Sequence, residues 1–137
     1  MSQGNVEIVR QLLEANRSGP ADATTEVAIG LTHPNIEFRS LVAAVEGATY
    51  RGHEGARRYF EDMGDAWQEW RNDAEEIVEI GPDAVLIENR FRGVGKGSGA
   101  EVEVRSAILF VLSDDKVSHI HSYATRREAL EAAGLSE

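Results

Sequence analysis

The chain has 137 residues, of which 42% are apolar and none is cysteine, and its net charge is −10. This length and apolar share exclude a disordered chain and fit one globular domain spanning residues 1–137, while the missing thiols exclude disulfides and iron–sulfur ligation. Only Lys96 and Lys116 are lysines, so the charge argues against binding to nucleic acid or to an anionic membrane. With no signal-peptide pattern and no apolar run of spanning length, we expect a cytoplasmic protein.

Helices are predicted in the first half of the chain. The segment Asn5–Ser18 has an apolar stripe at helical spacing, and Asp22 can cap a second helix that runs to about Leu31. A first strand is predicted over Ile36–Leu41, followed by a loop over Val42–Gly52 with a brief extended piece at Ala48–Arg51. The segment His53–Trp70 is the most regular helix, because its apolar residues recur at intervals of three and four. That apolar face comprises Ala56, Tyr59, Phe60, Met63, Trp67 and Trp70.

The second half of the chain is predicted to be an antiparallel meander. Four strands are expected over Asn72–Ile80, Ala84–Val94, Ala100–Leu112 and Lys116–Ala124, and a capping box at Thr125–Glu128 begins a terminal helix. One face of the second of these strands carries Val85, Ile87, Asn89 and Phe91. This order predicts an α+β fold in which a curved, mostly antiparallel sheet wraps around helices and encloses a cone-shaped cavity.

Three short motifs carry a resemblance to a known superfamily. They are the run from His33 to Phe38, the run from Tyr50 to Ala56 that opens the long helix, and Lys116-Val117 at the start of the last strand. In this order the chain resembles the nuclear transport factor 2-like superfamily, in its SnoaL-like, ketosteroid-isomerase-like branch. The resemblance implies a cystatin-like α+β barrel that dimerises through its sheet and holds a small hydrophobic molecule. Because members include isomerases, cyclases, hydrolases and binding proteins, the fold does not give the function.

The resemblance also implies where an isomerase would keep its catalytic groups. Phe38 stands at the place of the carboxylate base, Leu12 at that of the tyrosine donor, and Ala107 at that of the protonated acid. None of these side chains transfers a proton or stabilises an oxyanion. If the alignment with the superfamily is shifted by one residue, Glu37 takes the place of the carboxylate base.

Asn89 and Arg105 are the strongest candidates for orienting a ligand. Arg105 lies two residues before Ala107 and so shares its strand face, which predicts that Arg105 points inward and could hold a carboxylate or a carbonyl of the ligand. The alternative is that Arg105 pairs with Glu103 or Glu37 and is structural. The other residues expected to line the cavity are Phe38, Tyr59, Trp67, Phe91, Ile120 and Ser122.

Catalytic and metal-binding groups are less well marked. Glu37 and His33 are the candidates for a base, and His119 with His121 shares a strand face but lacks a third ligand, so we expect no metal and no cofactor. The first hypothesis is a homodimer that binds a small hydrophobic organic molecule. The alternatives are a cofactor-free isomerase, cyclase or hydrolase, and a dimeric association module without a ligand.

Overall fold

The computed structural model describes residues 2–19, 24–41 and 48–134, except the side chains of residues 2, 3 and 48. The helices are α1 Ser2–Ala15, α2 Thr25–Gly30, α3 Gly52–Ala66 and α4 Arg126–Ala132. The strands are β1 Ser18–Gly19, β2 Thr32–Ser40, β3 Ala48–Arg51, β4 Trp67–Ile80, β5 Ala84–Gly95, β6 Glu101–Ser113 and β7 Lys116–Tyr123.

These strands form one mixed sheet in the order β1-β4-β5-β6-β7-β2-β3. All neighbours are antiparallel except β2 and β7, which are parallel. Register shifts interrupt β4, β2 and the β6–β7 ladder, and such bulges increase the local bend and twist of a sheet. Helices α1, α2 and α3 pack on the concave face, and α4 covers part of the convex face. The predicted α+β fold with a curved sheet is confirmed.

The meander and its terminal helix follow the sequence prediction closely. Each of its strands is found within one residue of the predicted bounds, except that β4 begins earlier. Thr125 Oγ1 accepts a hydrogen bond from the backbone N–H of Glu128 at 3.2 Å, as a capping box requires. Gly134 follows α4 with a φ of +81°, the left-handed conformation typical after a helix.

The predicted end of the long helix at Trp70 is wrong. Helix α3 ends at Ala66, and Trp67 already has the extended dihedrals φ −122° and ψ 131°. The turn after β5 caps this end, because Lys96 donates its backbone N–H to Ala66 O and its ammonium group to Gly64 O, each at 3.0 Å. The chain then continues directly into β4, where Trp67 and Trp70 belong to the β4–β5 ladder.

The first two helices also differ from their predictions. Helix α1 ends at Ala15, and its predicted last turn instead leads into β1. The predicted cap Asp22 lies outside the described residues. In α2, Ile29 is buried but Val27 is 52% exposed, because residues two apart lie on nearly opposite sides of a helix. Of the predicted loop at Val42–Gly52, the extended piece Ala48–Arg51 is β3, and residues 42–47 lie outside the described residues.

Candidate functional site

A cavity of about 100 Å³ lies between the concave face of the sheet and the first three helices. Strand alternation turns Phe91, Ile108 and Ile120 towards it, and the helices add Leu12 and Ala56. Its polar lining consists of amides and hydroxyls, namely Asn16, Thr32, Ser40, Tyr59, Asn72, Asn89, Ser106 and Ser122. A single water needs only roughly 10–15 Å³, so the cavity is large enough for a small organic molecule.

None of the described residues that line this cavity carries a charge at neutral pH. The one titratable group among them is the phenol of Tyr59, and burial raises its pKa to about 12 against the opposing effect of its hydrogen bond with Asn16. Tyr59 is therefore a neutral group at pH 7.

Three asparagines are joined by hydrogen bonds along one wall, two through their side chains and Asn16 through its backbone oxygen. Asn89 Nδ2 donates to Asn72 Oδ1 at 3.0 Å, and Asn72 Nδ2 donates to the backbone oxygen of Asn16 at 2.8 Å. The side chain of Asn16 accepts from Trp70 Nε1 at 3.3 Å and donates to Tyr59 Oη at 2.8 Å. The wall thus joins α1, α3, β4 and β5 through polar contacts.

The chemistry of two groups fixes the direction of this amide chain. The indole N–H of Trp70 can only donate, so Asn16 must present its oxygen to Trp70 and its NH₂ to Tyr59. The backbone oxygen of Asn16 can only accept, so Asn72 must present its NH₂ there and its oxygen to Asn89.

The chain of bonds leaves one acceptor unused at its end. Asn89 is 5% exposed, and its Oδ1 has no hydrogen-bond partner among the residues that the structure describes. A buried polar atom without a partner costs about 1–3 kcal/mol. Asn89 also lines the cavity, but this oxygen itself has less than 1 Å² of accessible surface and is not exposed to it.

Comparison with models of protein families shows which family the chain belongs to. The model of the SnoaL-like domain matches residues 9–120. The chain belongs to this family. No curated protein matches it.

Solved structures similar to this SnoaL-like domain share its fold at low sequence identity. A nuclear transport factor 2-like protein of unknown function from Burkholderia pseudomallei is 14% identical with a TM-score of 0.76, over 93% of this chain and 95% of the other. TerC, co-crystallised with polyporic acid, is 17% identical with a TM-score of 0.74, over 93% and 96% of the two chains. A protein with a ketosteroid isomerase-like fold from Catenulispora acidiphila, in complex with trimethylamine, is 21% identical with a TM-score of 0.72, over 94% and 93%.

Most of the predicted ligand-binding residues of the SnoaL-like domain lie together at the cavity. Those that line it are Phe38, Tyr59, Asn89, Phe91, Ile120 and Ser122. Arg105 and Trp67 are not among the lining residues. Six of the eight predicted residues thus line one cavity, and two lie elsewhere.

The prediction that Arg105 points inward is wrong. Its side chain is 60% exposed and pairs with Glu75 at 2.7 Å and with Glu103 at 3.8 Å. Parity with Ala107 was the basis for placing it inward, and Ala107 is indeed buried, but it packs with Leu130 of α4 on the convex face. Arg105 therefore shares the convex face, and its structural pairing is the alternative that the structure supports.

Trp67 supports the cavity from outside. Its ring contacts Phe91 in a T-shaped arrangement with centroids 5.0 Å apart. It lies over Gly93, where a Cβ atom would come within 2.7 Å of Trp67 Cε3. Trp67 thus positions Phe91, which does line the cavity.

The candidate bases also lie away from the cavity lining. Glu37 accepts hydrogen bonds from His121 and Arg51, both at 2.7 Å, and its pKa is lowered mainly by the bond from His121. His33 Nδ1 accepts from the backbone N–H of Asn35. Phe38 lines the cavity and its neighbour Glu37 does not. The alignment is therefore not shifted by one residue, and Glu37 does not take the place of the base.

The two histidines of β7 lie side by side, with ring centroids 5.6 Å apart. Within residues 2–19, 24–41 and 48–134, no group of three or more His, Asp or Glu side chains is arranged to hold a metal ion. In the same part of the chain, no helix has the length and apolar character needed to cross a membrane.

Sequence reasoning missed Asn16, Asn72 and Ser106. Asn72 lies two residues after Trp70, so it shares a strand face with Trp70 once β4 begins at Trp67. The erroneous helix end therefore hid it. Ser106 lies directly opposite Asn89 in the β5–β6 ladder and was hidden by the wrong assignment of faces on β6.

Proposed function

We propose that this SnoaL-like domain binds a small, uncharged, largely apolar organic molecule in the cavity between the sheet and helices α1–α3. The observation that carries the proposal is a mostly apolar cavity whose described lining residues bear no charge and include several amides and hydroxyls. Pockets for small molecules commonly combine apolar walls with a few fixed polar groups.

The absence of charge among those lining residues favours a neutral ligand. An ion moved from water into an apolar site without a counter-ion loses several kcal/mol of hydration energy. With Arg105 on the convex face, the described lining offers no cation for a carboxylate, and Tyr59 stays neutral at pH 7. Hydroxyls and amides such as Asn89 and Ser122 suit alcohols, ketones and amides instead.

The same lining favours binding over proton-transfer chemistry. General acid–base catalysis at neutral pH needs a group whose pKa lies near 7 within hydrogen-bond reach of the substrate. Among the described lining residues only Tyr59 titrates, and its pKa is about 12. The rival hypothesis of an isomerase, cyclase or hydrolase required Glu37 or a histidine at the cavity, and neither Glu37 nor any of the four histidines is among the described lining residues.

The size of the cavity limits the ligand to about one small ring. Its volume of about 100 Å³ lies below the 300–1,000 Å³ that is typical of sites for drug-sized ligands. Two proteins of this fold are described with small organic molecules, namely TerC with polyporic acid and the Catenulispora acidiphila protein with trimethylamine. These two proteins support a ligand-binding use of the fold.

Calorimetric titration with three probes on the same five-membered ring tests the proposal. Cyclopentanol is neutral, cyclopentylamine is cationic at pH 7, and cyclopentanecarboxylate is anionic. We expect saturable binding of cyclopentanol and at least tenfold weaker binding of both ions, and Phe91→Trp, which fills the cavity, should abolish it. Equal or tighter binding of either ion, or no binding of cyclopentanol, would overturn the proposal.

We also propose that two copies associate through the convex face of the sheet, as the resemblance to the superfamily implies. Arg90 lies on this face, and its buried Nε has no partner among the described residues. It stands directly across the ladder from Arg105, which already pairs with Glu75 and Glu103, so a carboxylate from a second copy would supply a partner for the guanidinium of Arg90. Light scattering should give the mass of a dimer, and Arg90→Glu should shift it towards the monomer; a monomeric wild-type chain would contradict this proposal.

A further inference from the structure

We infer that the hydroxyls of Ser106 and Ser122 hold an oxygen atom of the bound molecule, and that its hydrocarbon part lies towards Phe110 and Ile120. This inference rests on the proposed function, because it assigns the polar contacts of a ligand in the same cavity. All four side chains line that cavity. The ligand class that fits is a neutral molecule with a hydroxyl or carbonyl group at one end and an apolar ring at the other.

Most of the polar side chains that line the cavity are already engaged with the protein. The asparagines of the amide chain are joined to one another and to Tyr59. Thr32 Oγ1 donates to the backbone oxygen of Ile29 at 2.8 Å, and Ser40 is not free either. The remaining polar groups of the described lining are one serine on β6 and one on β7.

The hydroxyls of these two serines, Ser106 and Ser122, make no hydrogen bond with any other part of the chain that the structure describes. Only 7% of Ser122 is exposed. Within the same residues, the unpartnered side-chain atoms with less than 1 Å² of accessible surface are Asn89 Oδ1 and Arg90 Nε, so both serine oxygens retain accessible surface. Since both side chains line the cavity, a bound molecule can reach these oxygens. Buried polar groups are nearly always hydrogen-bonded, so a partner from outside the chain is expected here.

The two serines are diagonal neighbours on the concave face of the sheet. Ser122 lies directly opposite Ile108 in the β6–β7 ladder, and Ser106 precedes Ile108 by two residues, so it shares that face. Diagonal neighbours on one face lie roughly 7–8 Å apart, so one bound molecule can contact both hydroxyls. The next pair of cavity residues along this ladder is Phe110 with Ile120. Along these two strands the lining therefore changes from polar to apolar, which orients a molecule that has one polar end.

Calorimetric titration with cyclopentanol and methylcyclopentane tests this inference, because the two probes share a ring and differ in a hydroxyl against a methyl group. The hydration of the free probes is the same for every variant, so it cancels when variants are compared. We expect the double variant Ser106→Ala, Ser122→Ala to bind cyclopentanol about tenfold more weakly than the wild-type chain, equivalent to 1.4 kcal/mol. The same variant should bind methylcyclopentane equally well or more tightly.

Ser118→Ala is the matched control on β7. Its hydroxyl donates to the backbone oxygen of Val111 at 3.1 Å, and Ser118 is not among the residues that line the cavity. This variant should leave the affinities for both probes within about twofold.

The outcomes separate the two proposals. No binding of cyclopentanol to the wild-type chain would overturn the proposed function. Saturable binding that the double variant leaves within about twofold, or an equal loss of affinity for both probes, would overturn this inference and leave the proposed function standing. Should the double variant fail to fold, the single variants replace it, and each should lose about threefold for cyclopentanol alone. Single variants that both keep the wild-type affinity for cyclopentanol would refute the inference.

Discussion

The substitution Asn16→Leu tests whether the amide chain holds the cavity wall together. It removes the acceptor of Trp70 Nε1 and the donor to Tyr59 Oη, while leucine keeps the same branched arrangement of side-chain heavy atoms. The side chains of Trp70 and Tyr59 are only 3% and 5% exposed, so the indole N–H would be left without a partner. We expect a loss of about 2–4 kcal/mol, comprising 1–3 for the orphaned donor and about 1 for the second bond.

Thermal and urea unfolding measure this loss. For a chain of this size, 1 kcal/mol corresponds to roughly 4 °C, so the melting temperature should fall by roughly 8–16 °C. Asn5→Leu is the matched control on helix α1, because Asn5 donates one exposed hydrogen bond, to Pro82 O at 2.8 Å. It should cost less than about 1 kcal/mol. If the two variants lose the same stability, the amide chain does not contribute what the structure indicates.

Three further predictions concern backbone and charge. Gly93→Ala places a Cβ 2.7 Å from Trp67 Cε3 and should cost about 1–3 kcal/mol by urea unfolding, whereas Gly64→Ala, with nothing within 4 Å, should be neutral or stabilising. Asp115→Gly should stabilise by about 0.5–1 kcal/mol, because Asp115 has a φ of +63° in the β6–β7 turn, and a destabilised variant would contradict this. The pKa of Glu37 is lowered in the folded state, so the ionised carboxylate stabilises the fold above pH 4.5, and this stabilisation is lost as the pH falls further. Glu37→Gln should therefore make the melting temperature less sensitive to acid below pH 4.5. An unchanged pH profile of the melting temperature would count against the ion pair.

The alternation of side chains along the strands could be predicted from the sequence. Val85, Ile87, Asn89 and Phe91 form an apolar face with one polar member, and a period of two places all four on the same side of β5. Apolar neighbours on both sides of Asn89 indicated that this face is buried. That reasoning located an amide that lines the cavity.

The same reasoning failed on β6 because both faces of that strand are covered in its second half. Ala107 and Leu109 pack under α4, while Ile108 and Phe110 face the cavity, so apolar character did not distinguish the two faces. Arg105 was assigned by parity to the wrong one. Knowing which face a short terminal helix covers requires the tertiary structure.

Long-range contacts account for the rest of what the sequence hid. Helix α3 ends at Ala66 because Lys96, thirty residues later, caps its last carbonyls, and no local breaker marks that end. The amide chain joins Asn16, Tyr59, Trp70 and Asn72 across sequence separations of 43 to 56 residues. Such a network has no local signature, since each asparagine taken alone resembles a residue of a turn or a cap.

A crystal structure of the chain with cyclopentanol would test the central claim most directly. The account predicts electron density for one molecule in the cavity beside Phe91 and Ile108, with its hydroxyl within hydrogen-bond distance of a lining amide or hydroxyl group and no charged side chain in contact with it. A cavity that holds only ordered water at saturating cyclopentanol, or a probe bound on the convex face beside Arg105, would contradict it.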